Sequence, residues 1–423
     1  MFETTPLFCD NVTSCKMYTG LMVRDLGSPI RSFLSRHPMA TAVTFVVVGV
    51  LPLYLTSAQF VALERDLGLT ASRLGIATAL YFGVAAVMGA PVGRIVQRDG
   101  ATLGLRNGAL VSAVACLVAV SASLWWPLLL VAAGLAGLSN AFMQISSNVV
   151  LARDAVFHRQ GISFGAKQGS IPLASMLAGA MLPLLGVSIG WEWPFIFAAL
   201  IAVVVSFMAP PVTNVTTDAD RDDRPGWAPS ASLRLLTLGG ACGGAAGNSL
   251  SLFLVPAAVA VGISESSAGT ALAVAGGMVL AVRLIVGWLA DRAESSGHRE
   301  MVVALAAGTV GCVLLVLFDT PVMFLIGIAI AMLGSWGWPG LVYLTVVRIH
   351  PEAPAQASGS LLSGNLTGSV IGPLVTGFLA GSGDYTSAWV FCAILSLVGT
   401  VAMIISRRMA RDMVRGADHR GGR

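Results

Sequence analysis

Long apolar runs alternate with short polar breaks along almost the whole chain, and the runs share one size. A helix that crosses a bilayer needs about 20 mostly apolar residues. Windows of that kind fall at 41–62, 74–93, 106–124, 126–151, 160–187, 191–209, 232–259, 266–290, 301–318, 320–346, 355–381 and 386–406. The pattern predicts an all-α membrane protein with 12 transmembrane helices. Residues 1–40 read as a cytoplasmic extension without a secretory signal, since Lys16, Arg24, Arg31 and Arg36 break their short apolar fragments.

Composition agrees with the pattern. Of 423 residues, 56% are hydrophobic and 11% charged, with a mean hydropathy of +0.81; a soluble domain carries about 25% charged residues. The net charge of +4 matters less than where the cations fall, because Lys and Arg in short loops set orientation. Arg65 and Arg73 lie in loops on one side, Lys167 and Arg283 lie deep within windows, and all other cations fall on the opposite face. Both termini are therefore expected in the cytoplasm, in the plasma (inner) membrane. The six cysteines are scattered without metal or disulfide spacing. The five histidines fall in loops and tails, and no phosphate-binding glycine loop with lysine is present. No catalytic residue, metal, cofactor, nucleic-acid partner or ATP drive is expected.

The polar, proline-rich stretch "PPVTNVTTDADRDDRPGWAPSAS" separates six windows from six. It divides the chain into an extension (1–40), a first six-helix bundle (41–209), a cytoplasmic linker (210–231), a second bundle (232–406) and a basic tail (407–423). The halves echo one another. "GRIVQRDG" starts at Gly93 after the second window and "GWLADRAE" at Gly287 after the eighth, while Gly161, Gly165 and Gly169 in the fifth window match Gly364, Gly368 and Gly372 in the eleventh. Such pseudo-symmetry is the signature of internal duplication in transporters.

These residues resemble the major facilitator superfamily, whose hallmark is Gly-x-x-x-Asp-Arg in the loop after the second helix of each half. The second copy matches as Gly287, Asp291 and Arg292. The first departs: Gly93, Arg98 and Gly100 are in place, but Gln97 stands where the family has Asp, and Asp99 follows two residues later. The resemblance implies two pseudo-symmetric six-helix bundles, a central cavity lined by the first, fourth, seventh and tenth helices, and a conformational latch at Gly93, Arg98, Asp99, Gly287, Asp291 and Arg292.

Two cations remain inside the windows. Arg283 lies seven residues before the end of its window, roughly 10 Å deep at ~1.5 Å per residue, and Lys167 sits at a similar depth in the fifth. A charge there costs at least ~2.5–3.5 kcal/mol and faces protein, water or ligand rather than lipid. Every Asp and Glu falls in a loop, a tail or a window end, so two like charges sharing a cavity call for an anion. Arg offers a planar fork for a carboxylate and Lys a mobile point charge. Arg283-x-x-x-Gly287 resembles monocarboxylate and oxalate/formate-type carriers, without the acidic residue some of them place one turn earlier, where Val279 stands. The fifth-window run is similar to cyanate-type permeases. The bland alternative for both cations is a head bonded to backbone carbonyls at a helix break.

Asn140, Gln144 and Asn148 align at i, i+4, i+8 on one helix face. With Tyr54, Gln59, Asn248 and Asn365 they are candidate cavity contacts, each equally able to bond a neighbouring helix. "GSWGWPG" in the tenth window marks a hinge or gate at Trp336, Trp338 and Pro339, or else packing tryptophans. The reading is a monomeric secondary transporter of a small organic anion, by proton-linked symport or anion exchange, since no carboxylate lies at mid-membrane to carry a proton. A drug/proton antiporter is the runner-up, although the fourth window lacks an interior Arg and Gly372-Pro373 lies in the eleventh window rather than the fifth. A non-transporting sensor or scaffold is the third reading.

Overall fold

Each apolar window folds as a helix. The structure is a computed structural model that describes residues 31–152, 160–212, 229–293, 297–349, 354–381 and 383–421; the first thirty residues and most of the linker lie outside these. The principal helices are α1 (Pro38–Ala58), α2 (Ala71–Asp99), α3 (Ala101–Val120), α4 (Leu128–Ala152), α5 (Gln160–Met181), α6 (Glu192–Phe207), α7 (Ala231–Ala260), α8 (Glu265–Ala293), α9 (His298–Leu317), α10a (Pro321–Trp336), α10b (Pro339–Ile349), α11 (Pro354–Leu379) and α12 (Thr386–Gly421). Among the described residues, ten helices are long and apolar enough to cross a membrane, and α6 is a shorter apolar one. α11 has 26 residues, but serines, threonines and Asn365 dilute its apolar character.

Four details depart from the windows. The first helix ends at Ala58, and a short helix, Phe60–Leu67, follows Gln59. α5 gives way at Met181 to a π-helical stretch, Leu182–Gly186, which begins next to Pro183. The tenth window is broken between Trp336 and Pro339. α12 runs on to Gly421, so the basic tail continues the last helix.

Where the two halves meet, small residues let backbones touch. On the α5–α8 seam a Cβ on Gly276 would lie 2.8 Å from the Pro172 carbonyl oxygen, and one on Gly165 would lie 3.0 Å from that of Arg283. On the α2–α11 seam a Cβ on Gly75 would lie 2.8 Å from the Pro373 carbonyl oxygen, whereas a Cβ on Gly89 or Gly93, on the same face of α2, or on Gly359, on the face of α11 that carries Gly377, would meet nothing within 4 Å. The first seam is therefore closed along its length. The second is closed only at the end far from the chain termini. The apolar core repeats this division: one cluster joins both halves, whereas the termini end of the second half packs separately around Trp338, Leu305 and Leu341.

Prolines inside these helices set a local problem with a common solution. Proline lacks the N–H that would bond the carbonyl four residues earlier, and in a membrane that carbonyl finds no water. Pro52 deprives Val48, and the Ser112 hydroxyl of α3 donates to Val48 O at 2.7 Å. Pro256 deprives Leu252, and the Ser57 hydroxyl of the opposite half donates to Leu252 O at 2.5 Å.

Candidate functional site

The break in the tenth helix is built from its sequence. Pro339 cannot bond the Ser335 carbonyl, and the Trp338 indole donates to it instead, Nε1 to O at 2.7 Å. The Trp336 carbonyl loses its next turn at the same break. Arg283 Nε and Nη2 donate to it at 2.9 and 2.7 Å. Arg283 Nη1 donates to the Gln168 carbonyl of α5, four residues before the internal Pro172. One guanidinium thus serves two carbonyls that their own helices leave unbonded, one in each half of the molecule.

Arg283 is 2% exposed, and its Cζ lies 5.2 Å from the Trp336 ring, where a cation gains from the ring's negative face. Trp336 in turn packs on Tyr54 of α1, ring centroids 5.9 Å apart. A Cβ on Gly247 of α7 would lie 2.7 Å from Trp336 Cδ1, so only glycine lets the indole in. Tyr54 is within electrostatic reach of Arg283 and faces Ser251 of α7. Neither hydroxyl has a hydrogen bond of good geometry, and the buried Tyr81 hydroxyl of α2 also lacks one. Guanidinium has five N–H donors, and three are used, so two remain.

Lys167 points elsewhere. It donates to Asn148 Oδ1 of α4 and to the Gln144 carbonyl at 3.5 Å. The two cations therefore share α5, Lys167 as a side chain and Arg283 through the next residue's carbonyl, but hold different partners. Asn140 is buried with Oδ1 unpartnered. Asn248 Nδ2 donates to Gly244 O at 2.9 Å and to Ser369 Oγ at 3.0 Å, and Ser369 Oγ donates to Asn365 O at 2.8 Å. Asn248 and Asn365 thus meet at the α7–α11 contact, apart from the arginine. Gln59 is buried with both amide atoms unpartnered, against Gly186 in the π-helical stretch.

At the termini end, Arg98 Nε and Asp99 Oδ1 are 3.6 Å apart and exposed. This pair and Arg65–Asp66 are the ion pairs among the described residues. Gly93 faces open space, whereas Gly287 sits beside Gly165 on the closed seam. Arg292 Cζ lies 4.1 Å from the Trp288 ring centroid, and the Asp291 side chain lies outside the described residues. Sequence reasoning missed Ser251, Tyr81, Ser57 and Gln168. The signal available for the last was Pro172, four residues downstream.

The sequence model of the Major Facilitator Superfamily matches residues 39–360 and again 236–420. Among solved structures, a bacterial homologue of the human lysosomal transporter Spinster, in an inward-facing and occupied conformation, superposes with a TM-score of 0.66 at 15% identity, over 90% of this chain and 97% of that one. The superfamily transporter FucP in its outward conformation superposes with a TM-score of 0.61 at 14% identity, over 88% and 99%. At such identities the likeness is one of fold.

Proposed function

Because the chain belongs to the Major Facilitator Superfamily, we propose that it is a secondary active transporter that moves a small organic anion, a carboxylate, by alternating access. The observation that carries this reading is a pair of buried cations, Arg283 and Lys167, with no carboxylate in any ion pair to them among the described residues. The surroundings of Arg283 favour the same sign of cargo. Two of its N–H donors are unused, and the buried hydroxyls of Tyr54, within electrostatic reach, and of Ser251 beside it lack partners; a donor-rich, acid-free neighbourhood suits an acceptor with negative charge. In this reading the cation bias puts both termini in the cytoplasm of a twelve-pass inner-membrane monomer. The absence of acids from the window interiors leaves a proton carried on the substrate or on Lys167, exchange of one anion for another, or uniport, of which this reading favours the first two equally.

The test is uptake of radiolabelled mono- and dicarboxylates by proteoliposomes holding the purified full chain. Saturable uptake of at least one, lost in Arg283→Gln, is expected. Uptake untouched by that change removes Arg283 from the site, and movement of lipophilic cations with no carboxylate uptake decides for drug/proton antiport.

A further inference from the structure

Among the described residues, three side-chain hydrogen bonds cross between the halves: Ser57 Oγ to Leu252 O, Ser72 Oγ to Gly377 O at 3.2 Å, and Arg283 Nη1 to Gln168 O. All three acceptors are main-chain carbonyls that helix geometry leaves free. Pro256 frees the first, the end of α11 at Leu379 the second and Pro172 the third. An inter-half bond of this kind needs no acidic partner, which fits a membrane interior whose buried cations have none.

We propose that Pro172 is a positioning residue: by withholding an N–H from the Gln168 carbonyl, it creates the anchor in the first half that holds Arg283 and straps the α5–α8 seam shut toward the termini end. Ser57 and Pro256 form the corresponding strap at the far end. The two are opposed, since one resists opening at each end. For the halves to part along α5 and α8, Arg283 must leave Gln168 O, while its bonds to Trp336 O stay within the second half and travel with it. The guanidinium is then the moving end of the strap, and the orphaned carbonyl is the fixed end. The proposal rests on the alternating-access reading of the fold and is independent of the cargo's charge.

The experiment needs no substrate. Spin labels at Leu103 and Leu289, exposed positions near the termini end of α3 in one half and α8 in the other, report the separation of the halves in the full chain. Pro172→Ala supplies the missing N–H, satisfies Gln168 O within α5 and leaves Arg283 intact; the expected result is a shift of the empty protein toward longer distances. Ser57→Ala is expected to shift the same pair the opposite way. Arg283→Gln combined with Pro172→Ala should give no more than Arg283→Gln alone, because both remove one bond. Pro172→Ser supplies the same N–H and replaces the alanine variant if that one expresses poorly. An unchanged distribution in the Pro172 variant, or fully additive effects in the double variant, overturns the strap. Failure of carboxylate uptake would leave these distances untouched, so the two readings fall separately.

Discussion

A carbonyl oxygen without a partner inside a membrane constrains its neighbours as a buried charge does, and at Trp338 that constraint can be isolated. Its indole both fills space against Gly243 and bonds the carbonyl that Pro339 abandons. Trp338→Phe removes the donor and leaves Ser335 O unsatisfied, a cost of about 1–3 kcal/mol, read as a lower thermal midpoint in detergent. Adding Pro339→Ala restores an N–H four residues on and should recover much of that loss. If the second change destabilises the first further, volume and not hydrogen bonding explains the tryptophan. The same logic shows what was legible at Arg283. Its depth and the lack of acids are plain in the sequence, but its partners are main-chain atoms, which leave no residue type to recognise. Only the prolines downstream, Pro172 and Pro339, betray them. The carbonyl-bound head is the arrangement left open from sequence as the alternative to a ligand contact, and its two unused donors keep ligand contact a proposal.

Helices pack by what they lack as much as by what they carry. The α5–α8 seam brings Gly276 so close to Pro172 that any side chain must push backbone aside. Gly276→Ala places a Cβ 2.8 Å from both Pro172 O and Met176 N, and overpacking of this kind costs about 1–3 kcal/mol. Gly277→Ala, whose nearest neighbour is the flexible Met176 Sδ at 3.4 Å, should be tolerated. Equal midpoints for the two variants would show that the seam yields. Apolar windows reported the positions of these helices well, because burial in lipid leaves a signal about 20 residues long. They reported the interruptions less well. The π-helical turn after Met181 and the break after Trp336 are marked by single prolines and glycines, and these punctuate straight and broken helices alike.

The duplication visible in the sequence is not matched by symmetric packing. α5–α8 closes along its length, but α2–α11 parts toward the termini end, where Gly359, Ser363 and Thr367 are exposed. The Thr367 and Ser363 hydroxyls bond back to carbonyls of their own helix, at 2.8 and 3.0 Å, as polar side chains do when no neighbouring helix is there to take them. Bonded in this way the two hydroxyls need no water, and Thr367 shares its helix face with the exposed Ile371 and Phe378; the open stretch at Gly89, Gly93 and Gly359 is where a water-filled vestibule is expected. A pair of cysteine experiments reads the asymmetry directly. In Ser72→Cys with Gly381→Cys, where a Cβ on Gly381 would lie 3.4 Å from Ser72 Oγ, a disulfide should form readily in the empty protein. In Gly89→Cys with Gly359→Cys, on the seam-facing sides of the same two helices toward the termini end, cross-linking should be far slower, and each single cysteine should react with a water-soluble maleimide. Rapid cross-linking of the second pair, or its protection from the maleimide, would place lipid or a packed seam where the vestibule is expected and would make the opening symmetric after all.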